Sequence, residues 1–192
     1  MAYLLDRITA QLAKTGYQAR TQQARVWLQS KIGDLRPSAQ RVMNSAERRT
    51  LKSVIGQMYF FYYEPKTKDK LPYYDRFPLV FPIELYPDGF LGLNLHYIHP
   101  KQRILLLDKL TQFASDKRFD DRTKLRLSYQ TLAAFGKAYE ATPCIKRYLT
   151  SHVQGQFVQI NADEWDIAAL LPVEQFQKAN KNKVWADSRK KM

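Results

Sequence analysis

Two histidines stand three residues apart in His96-Tyr-Ile-His99, at the end of a predicted strand and without a Cys or acidic companion at ligand spacing. A structural zinc site takes four nitrogen or sulfur ligands, and the whole chain holds three His and one Cys, so no metal is expected. Asp75, Glu84 and Asp88 are carboxylates of the kind that Mg²⁺ takes in nucleases. No Lys follows Glu84 in the pattern such a site uses, and a turn explains Asp88. Cys144 with His152 would make a thiol nucleophile and its base, yet Cys144 lies among apolar residues and reads as a buried core thiol. Neither GxxxxGK[ST] nor GxGxxG occurs, so nothing cradles a nucleotide phosphate. The sequence predicts no enzyme and no cofactor.

What remains is the chemistry of charge. Lys and Arg number 31 against 18 Asp and Glu, a net charge of +13, and the pI is near 9.8. Such a balance is a footprint of nucleic-acid contact. Residues 1–56 carry ten bases and three acids, residues 174–192 carry six and two, and residues 57–173 are left with a net of only +2. The segment SAERRTLKS, with Arg48, Arg49 and Lys52 and with Arg41 just before it, is the best local candidate for phosphate contact. Guanidinium groups grip phosphate oxygens in bidentate fashion, and no apolar demand competes there. The same residues also fit a charged linker, a solvated helix face, or a surface that docks on an acidic protein. Twelve tyrosines among these bases are a stacking platform for single-stranded bases in one reading and packed rings with wet hydroxyls in the other. Packing is the expected one.

The elements that must position these residues follow from periodicity. Met58–Tyr63, Leu79–Tyr86 and Phe90–Tyr97 read as strands, the last two as an antiparallel hairpin whose Pro87-Asp88-Gly89 turn is expected to be type I, closed by a left-handed glycine. The first strand is apolar on both faces, so it must be covered twice, by helices or by a partner. Pro82 lacks an amide hydrogen and marks an edge or a bulge. Amphipathic helices are predicted over Ala2–Tyr17 and from Thr21 to about Leu35, basic on the wet side through Arg7, Lys14, Arg20, Arg25 and Lys31. Past the sheet, Pro100 opens a helix buried through Ile104, Leu107, Leu110 and Phe113. Asp120 or Asp121 caps another helix, carrying Leu125, Tyr129, Leu132, Phe135 and Tyr139, and Thr142-Pro143 starts a short one through about Ser151. Gln156–Ile160 reads as a late strand, and Asn161-Ala-Asp-Glu164 as a capping box stapled by Ile160 and Trp165. The expected fold is α+β: a small antiparallel sheet of three strands plus the short late strand, covered by helices. Its parts are a basic helical arm and linker (1–56), a core domain (57–173) and a basic tail (174–192). The longest apolar run, Met58–Tyr63, is far short of the roughly 20 residues of a spanning helix, and the N-terminus lacks the basic region of a signal peptide. A soluble protein, without membrane contact or export, is expected. The single Cys144 fits a reducing compartment.

The strings MYFFYYEPKTKDKLPYYDRFPLVFPI, DGFLGLNLHY, KRFDDRTKLRLSYQ, PCIKRYLTSHV and NKVWADSRKKM resemble a family from T-even-like myophages, marine cyanophage relatives included: the DNA end protector, or DNA terminator, proteins of the virion. The similarity covers about residues 20–192 and brings no catalytic residue set. It implies a protein of the virion, present in host cytoplasm during assembly, that sits on the end of packaged double-stranded DNA and blocks exonuclease. Its phosphate contacts would come from Arg48, Arg49, Lys52 and the tail residues Lys183, Arg189, Lys190 and Lys191. The apolar sheet, through Tyr59, Phe61 and Tyr63, and the N-terminal helices, through Trp27, would anchor it to other virion proteins or to further copies of itself. The rival class is a structural subunit of neck, tail or baseplate with no direct DNA role.

Overall fold

In the computed structural model residues 3–115, 117–120, 123, 130–132, 134 and 144–191 are described. The strands are β1 (Arg49–Thr50), β2 (Met58–Tyr63), β3 (Tyr74–Asp75), β4 (Leu79–Tyr86), β5 (Gly89–Asn94), β6 (Ile145–Leu149), β7 (Val153–Ile160) and β8 (Phe176–Gln177). The helices include α1 (Leu4–Lys14), α2 (Gln22–Leu35), α3 (Ala39–Met43), α4 (Pro100–Ser115), α5 (Trp165–Leu170) and α6 (Lys181–Lys191). The α+β class stands, but among the described residues the sheet has six strands in the order β1-β7-β2-β4-β5-β6, and β3 and β8 form a separate pair. The late strand lies between β1 and β2 rather than at an edge. The expected helix through Ile145 and Leu149 is strand β6 instead. Five residues bury little as a helix, whereas as a strand they satisfy the open edge of β5 and send Tyr148 inward. Asp120 accepts from the Thr123 amide at 2.7 Å, as a cap should, and Leu132 is buried. Leu125, Tyr129, Phe135 and Tyr139 lie outside the described residues.

The sheet is rolled. β5 and β7 are three strands apart, about 14 Å in a flat sheet, yet the rings of Phe90 and Phe157 are 6.0 Å apart. Phe61 touches Phe90, Tyr148 and Phe157 from three different strands. The roll is tight enough for Thr150–His152 alone to join β6 to β7. Alternation along each strand therefore feeds two interiors. Tyr59, Phe61, Tyr63, Val80, Phe90, Tyr148 and Phe157 fill the lumen. Met58, Phe60, Leu79, Phe81, Leu93, Val158 and Ile160 face outward, into a core shared with the helices. That core includes Leu4, Leu5 and Ile8 of α1, Val42 of α3, Leu107 and Leu110 of α4, and Val184 of α6. Pro82 sits at a register shift of β4, the bulge its missing donor demands. Gly89 does not take the left-handed conformation expected of a turn glycine. It is a strand residue pressed against β6, where a Cβ would lie 1.9 Å from the Tyr148 carbonyl oxygen. The long connection after β2 is tied down by Asp75, whose carboxylate accepts from His96 Nδ1 (2.7 Å), Asn94 Nδ2 (3.3 Å) and the amides of Phe77 (3.0 Å) and Gln175 (3.2 Å).

Candidate nucleic-acid interface

The N-terminal helices place bases on two sides. α1 buries Leu4, Leu5, Ile8 and Leu12, and α2 buries Ala24, Leu28 and Leu35. The Thr21 side chain accepts from the Ala24 amide at 3.2 Å and fixes the start of α2. Along the inner seam, Arg25 reaches Asp166 through Nε (2.6 Å) and Asp108 through its terminal nitrogens. Arg48 bridges Asp6 and Glu164, with one contact to Glu164 at 2.9 Å. Hydrogen bonding to Glu164 raises the Arg48 pKa further. The Glu164 carboxylate that a capping box would turn back on Asn161 is thereby committed to Arg48, and Asn161 makes no side-chain cap.

The outer side is different. Arg7 and Lys14 from α1, Lys31 from α2, and Arg36 and Arg41 beyond it line one concavity of about 560 Å³ whose floor includes Trp27. Arg7, Lys14, Lys31 and Arg36 are exposed. The carboxylate in its wall, Asp34, lies 3.8 Å from Lys31. Arg36 holds a left-handed backbone, φ +45°, at the end of α2. That conformation costs a side-chain-bearing residue about 1 kcal/mol or more. Arg41 donates to the carbonyls of Leu35 and Arg36 (2.7 Å to the latter) and so closes the last turn of α2.

The residues singled out from sequence thus divide. Arg48 is an internal ion-pair partner rather than a phosphate ligand, because Asp6 and Glu164 enclose it. Arg49 is exposed but anchored on the Met43 carbonyl (2.8 Å), and Lys52 is exposed. Lys183, Arg189, Lys190 and Lys191 lie on the wet side of α6. That helix is held by buried Val184 and by Trp185 Nε1 donating to the His96 carbonyl at 2.8 Å. Tyr59, Phe61 and Tyr63 offer no surface to a partner, since the rolled sheet buries all three. Trp27 is half-buried beneath the outer concavity. The sequence does not single out Arg7, Lys14, Lys31 or Arg36 as phosphate ligands. The seven-residue spacing of Arg7 and Lys14 on one helix face was the available signal.

Arg103 is a second internal arginine. Fully buried in α4, it donates to the carbonyls of His96, Ile98 and Ala169 and to Glu174 (2.8 Å). Burial pulls its pKa below the usual arginine value against the opposing charge of Glu174. Among the described residues no group of three or more His, Cys, Asp and Glu gathers as a metal site, and no helix is long and apolar enough to cross a membrane.

A family model described as Phage T4 terminal DNA protecting protein matches residues 7–189. No curated protein and no solved structure matches.

Proposed function

From the premise that the chain belongs to this family of phage terminal DNA protecting proteins, we propose that it binds the end of packaged double-stranded DNA in the virion, without sequence preference, and shields it from exonuclease. The family supplies the choice of the DNA end, and one observation carries the binding of DNA. The exposed cations Arg7, Lys14, Lys31 and Arg36 converge on a single concavity that holds one acid, Asp34, while Asp6, Asp166 and Glu164 are consumed at the inner seam. A duplex backbone is a row of phosphates, and a concave surface with four cations against one carboxylate neutralises a few at once and releases their counterions. Lys52 and the wet side of α6 extend the contact. The protective step is physical: occupancy of the end denies it to a nuclease.

The test is binding of the purified protein to blunt linear duplex and to the same DNA as a closed circle, across a salt series. Tighter binding to the linear form is expected. Affinity should fall with salt at a log–log slope of about −4, one unit for each phosphate met by those four cations. Equal binding to both forms reduces the role to non-specific DNA binding. No binding at low salt overturns the proposal in favour of a neck, tail or baseplate subunit.

A further inference from the structure

Contacts to phosphates along a duplex do not distinguish its end from its middle, so end recognition calls for a different kind of site. One lies at the mouth of the rolled sheet, in a cavity of about 340 Å³ walled by Tyr63, Tyr73, Tyr74, Tyr97, Tyr148 and Lys146. Each tyrosine hydroxyl is already engaged. Tyr63 accepts from the Leu149 amide (3.2 Å), Tyr148 from Asn94 Nδ2 (3.2 Å) and Tyr97 from the Asp75 amide. Tyr74 meets Glu64 (3.3 Å) and Tyr73 meets Asp187. The rings are therefore held in place before any ligand arrives; Tyr63, Tyr73, Tyr97 and Tyr148 are buried behind the wall, and Tyr74 is the half-exposed ring among them.

The charge around these rings is positive. Lys66 and Arg147 also line the cavity, and the Lys146 ammonium stands over the Tyr97 ring at 4.8 Å. Burial, together with the nearby charge of Lys191 from α6, holds the Lys146 pKa below the usual lysine value. An anion reaching Lys146 would relieve that penalty. The carboxylate in the wall, Asp75, is committed to His96, Asn94 and two backbone amides. Arg147 is paired with Asp88, but a half-exposed aromatic ring, Tyr74, beside Lys146 and Lys66 suits a ligand that is planar and anionic, which is how proteins hold unpaired nucleotides.

We propose that this pocket takes the terminal nucleotide of a DNA end, frayed from its partner, with its base against the half-exposed Tyr74 ring and its phosphate at Lys146 and Lys66. The inference rests on the DNA-end reading above and gives it a physical basis. Extruding an interior nucleotide breaks its pairing and two stacking contacts and costs a few kcal/mol. A terminal nucleotide has one stacking neighbour and frays more readily, and a closed circle has no terminal nucleotide to offer.

The experiment uses the full chain and short blunt duplexes carrying the fluorescent base 2-aminopurine either at the terminus or at the centre, with the linear-over-circle preference measured in parallel. Binding should change the emission of the terminal probe and leave the central one unchanged. Tyr74→Ala, the loss of one base–aromatic contact, and Lys146→Ala, the loss of one charge-assisted phosphate contact, should each lower the linear-over-circle preference roughly tenfold, with affinity for the circle kept within about twofold. A terminal probe that stays silent on the bound wild-type protein overturns the proposal without any variant. So does an unchanged linear preference in variants that keep the wild-type melting temperature. Failure of the underlying reading looks different, since the wild-type protein itself would then show no preference for linear DNA.

Discussion

The inner seam and the outer concavity of the N-terminal helices draw on the same kinds of residue and put them to opposite uses. At the seam every guanidinium meets carboxylates from distant parts of the chain: Arg25 meets Asp108 and Asp166, and Arg48 meets Asp6 and Glu164. On the outer side Arg7, Lys14, Lys31 and Arg36 share a wall with one acid, Asp34. Arg25 and Lys31 are only six residues apart, nearly two turns of one helix. Which role a base takes is set by the acids that folding delivers to it. Arg25 ties α2 to α4 and α5, Arg48 ties α1 to Glu164 just before α5, and the outer bases leave their charge in solvent.

Substitutions separate the two roles. The largest loss of stability is expected where the seam's logic is carried deepest: Arg103→Met leaves Glu174 buried without its partner and should cost about 4 kcal/mol in urea unfolding. Arg48→Ala should cost about 2 kcal/mol, since its site is partly wet. A double-mutant cycle with Glu164→Gln should return a coupling of at least about 1 kcal/mol, and a coupling near zero would break the comparison. The end-over-circle preference of the folded Arg48→Ala protein should be that of the wild type.

Acid probes the same contrast. Burial alone would raise the carboxyls of Asp75 and Glu174. At Asp75 the charge of His96 and the hydrogen bonds from His96, Phe77 and Asn94 together outweigh it, at Glu174 the charges of His96 and Arg103 and the hydrogen bonds there together outweigh it, and both end below the usual carboxylate range. Their contribution to stability is thus complete above the unfolded carboxylate pKa of about 4 and is lost as the pH falls through the lower folded values. The urea midpoint should drop steeply below about pH 4, and Glu174→Gln should flatten that limb.

On the outer side the triple reversal Lys14→Glu, Lys31→Glu and Arg36→Glu should change stability by less than about 0.5 kcal/mol while reducing the salt slope of DNA binding by about three. The smallest effect sharpens the contrast most. Arg36→Gly releases a side chain from a left-handed backbone and should stabilise the fold by up to about 1 kcal/mol while weakening DNA binding. A stability gain with unchanged binding would remove Arg36 from the interface.

Local pattern made part of this structure legible. β2 and β4 fall on the residues their apolar runs predict, Thr21 caps α2, and Pro100 opens α4. Each depends on neighbours within a few positions: strand alternation, a side chain reaching an amide three residues on, a ring that fixes φ. The net charge and its concentration toward the two ends were likewise complete in the sequence. Only the tertiary structure decided that the second apolar face of β2 is a lumen filled by its own sheet, because the roll is a property of six strands together. It alone decided that Arg48 is enclosed, since Glu164 arrives from 116 residues away. It alone assembled the tyrosine pocket, whose wall joins residues 63–75 to residues 97 and 146–149. Adjacent residues fix an element's type, but the fate of a charge or a ring depends on what the distant chain brings beside it.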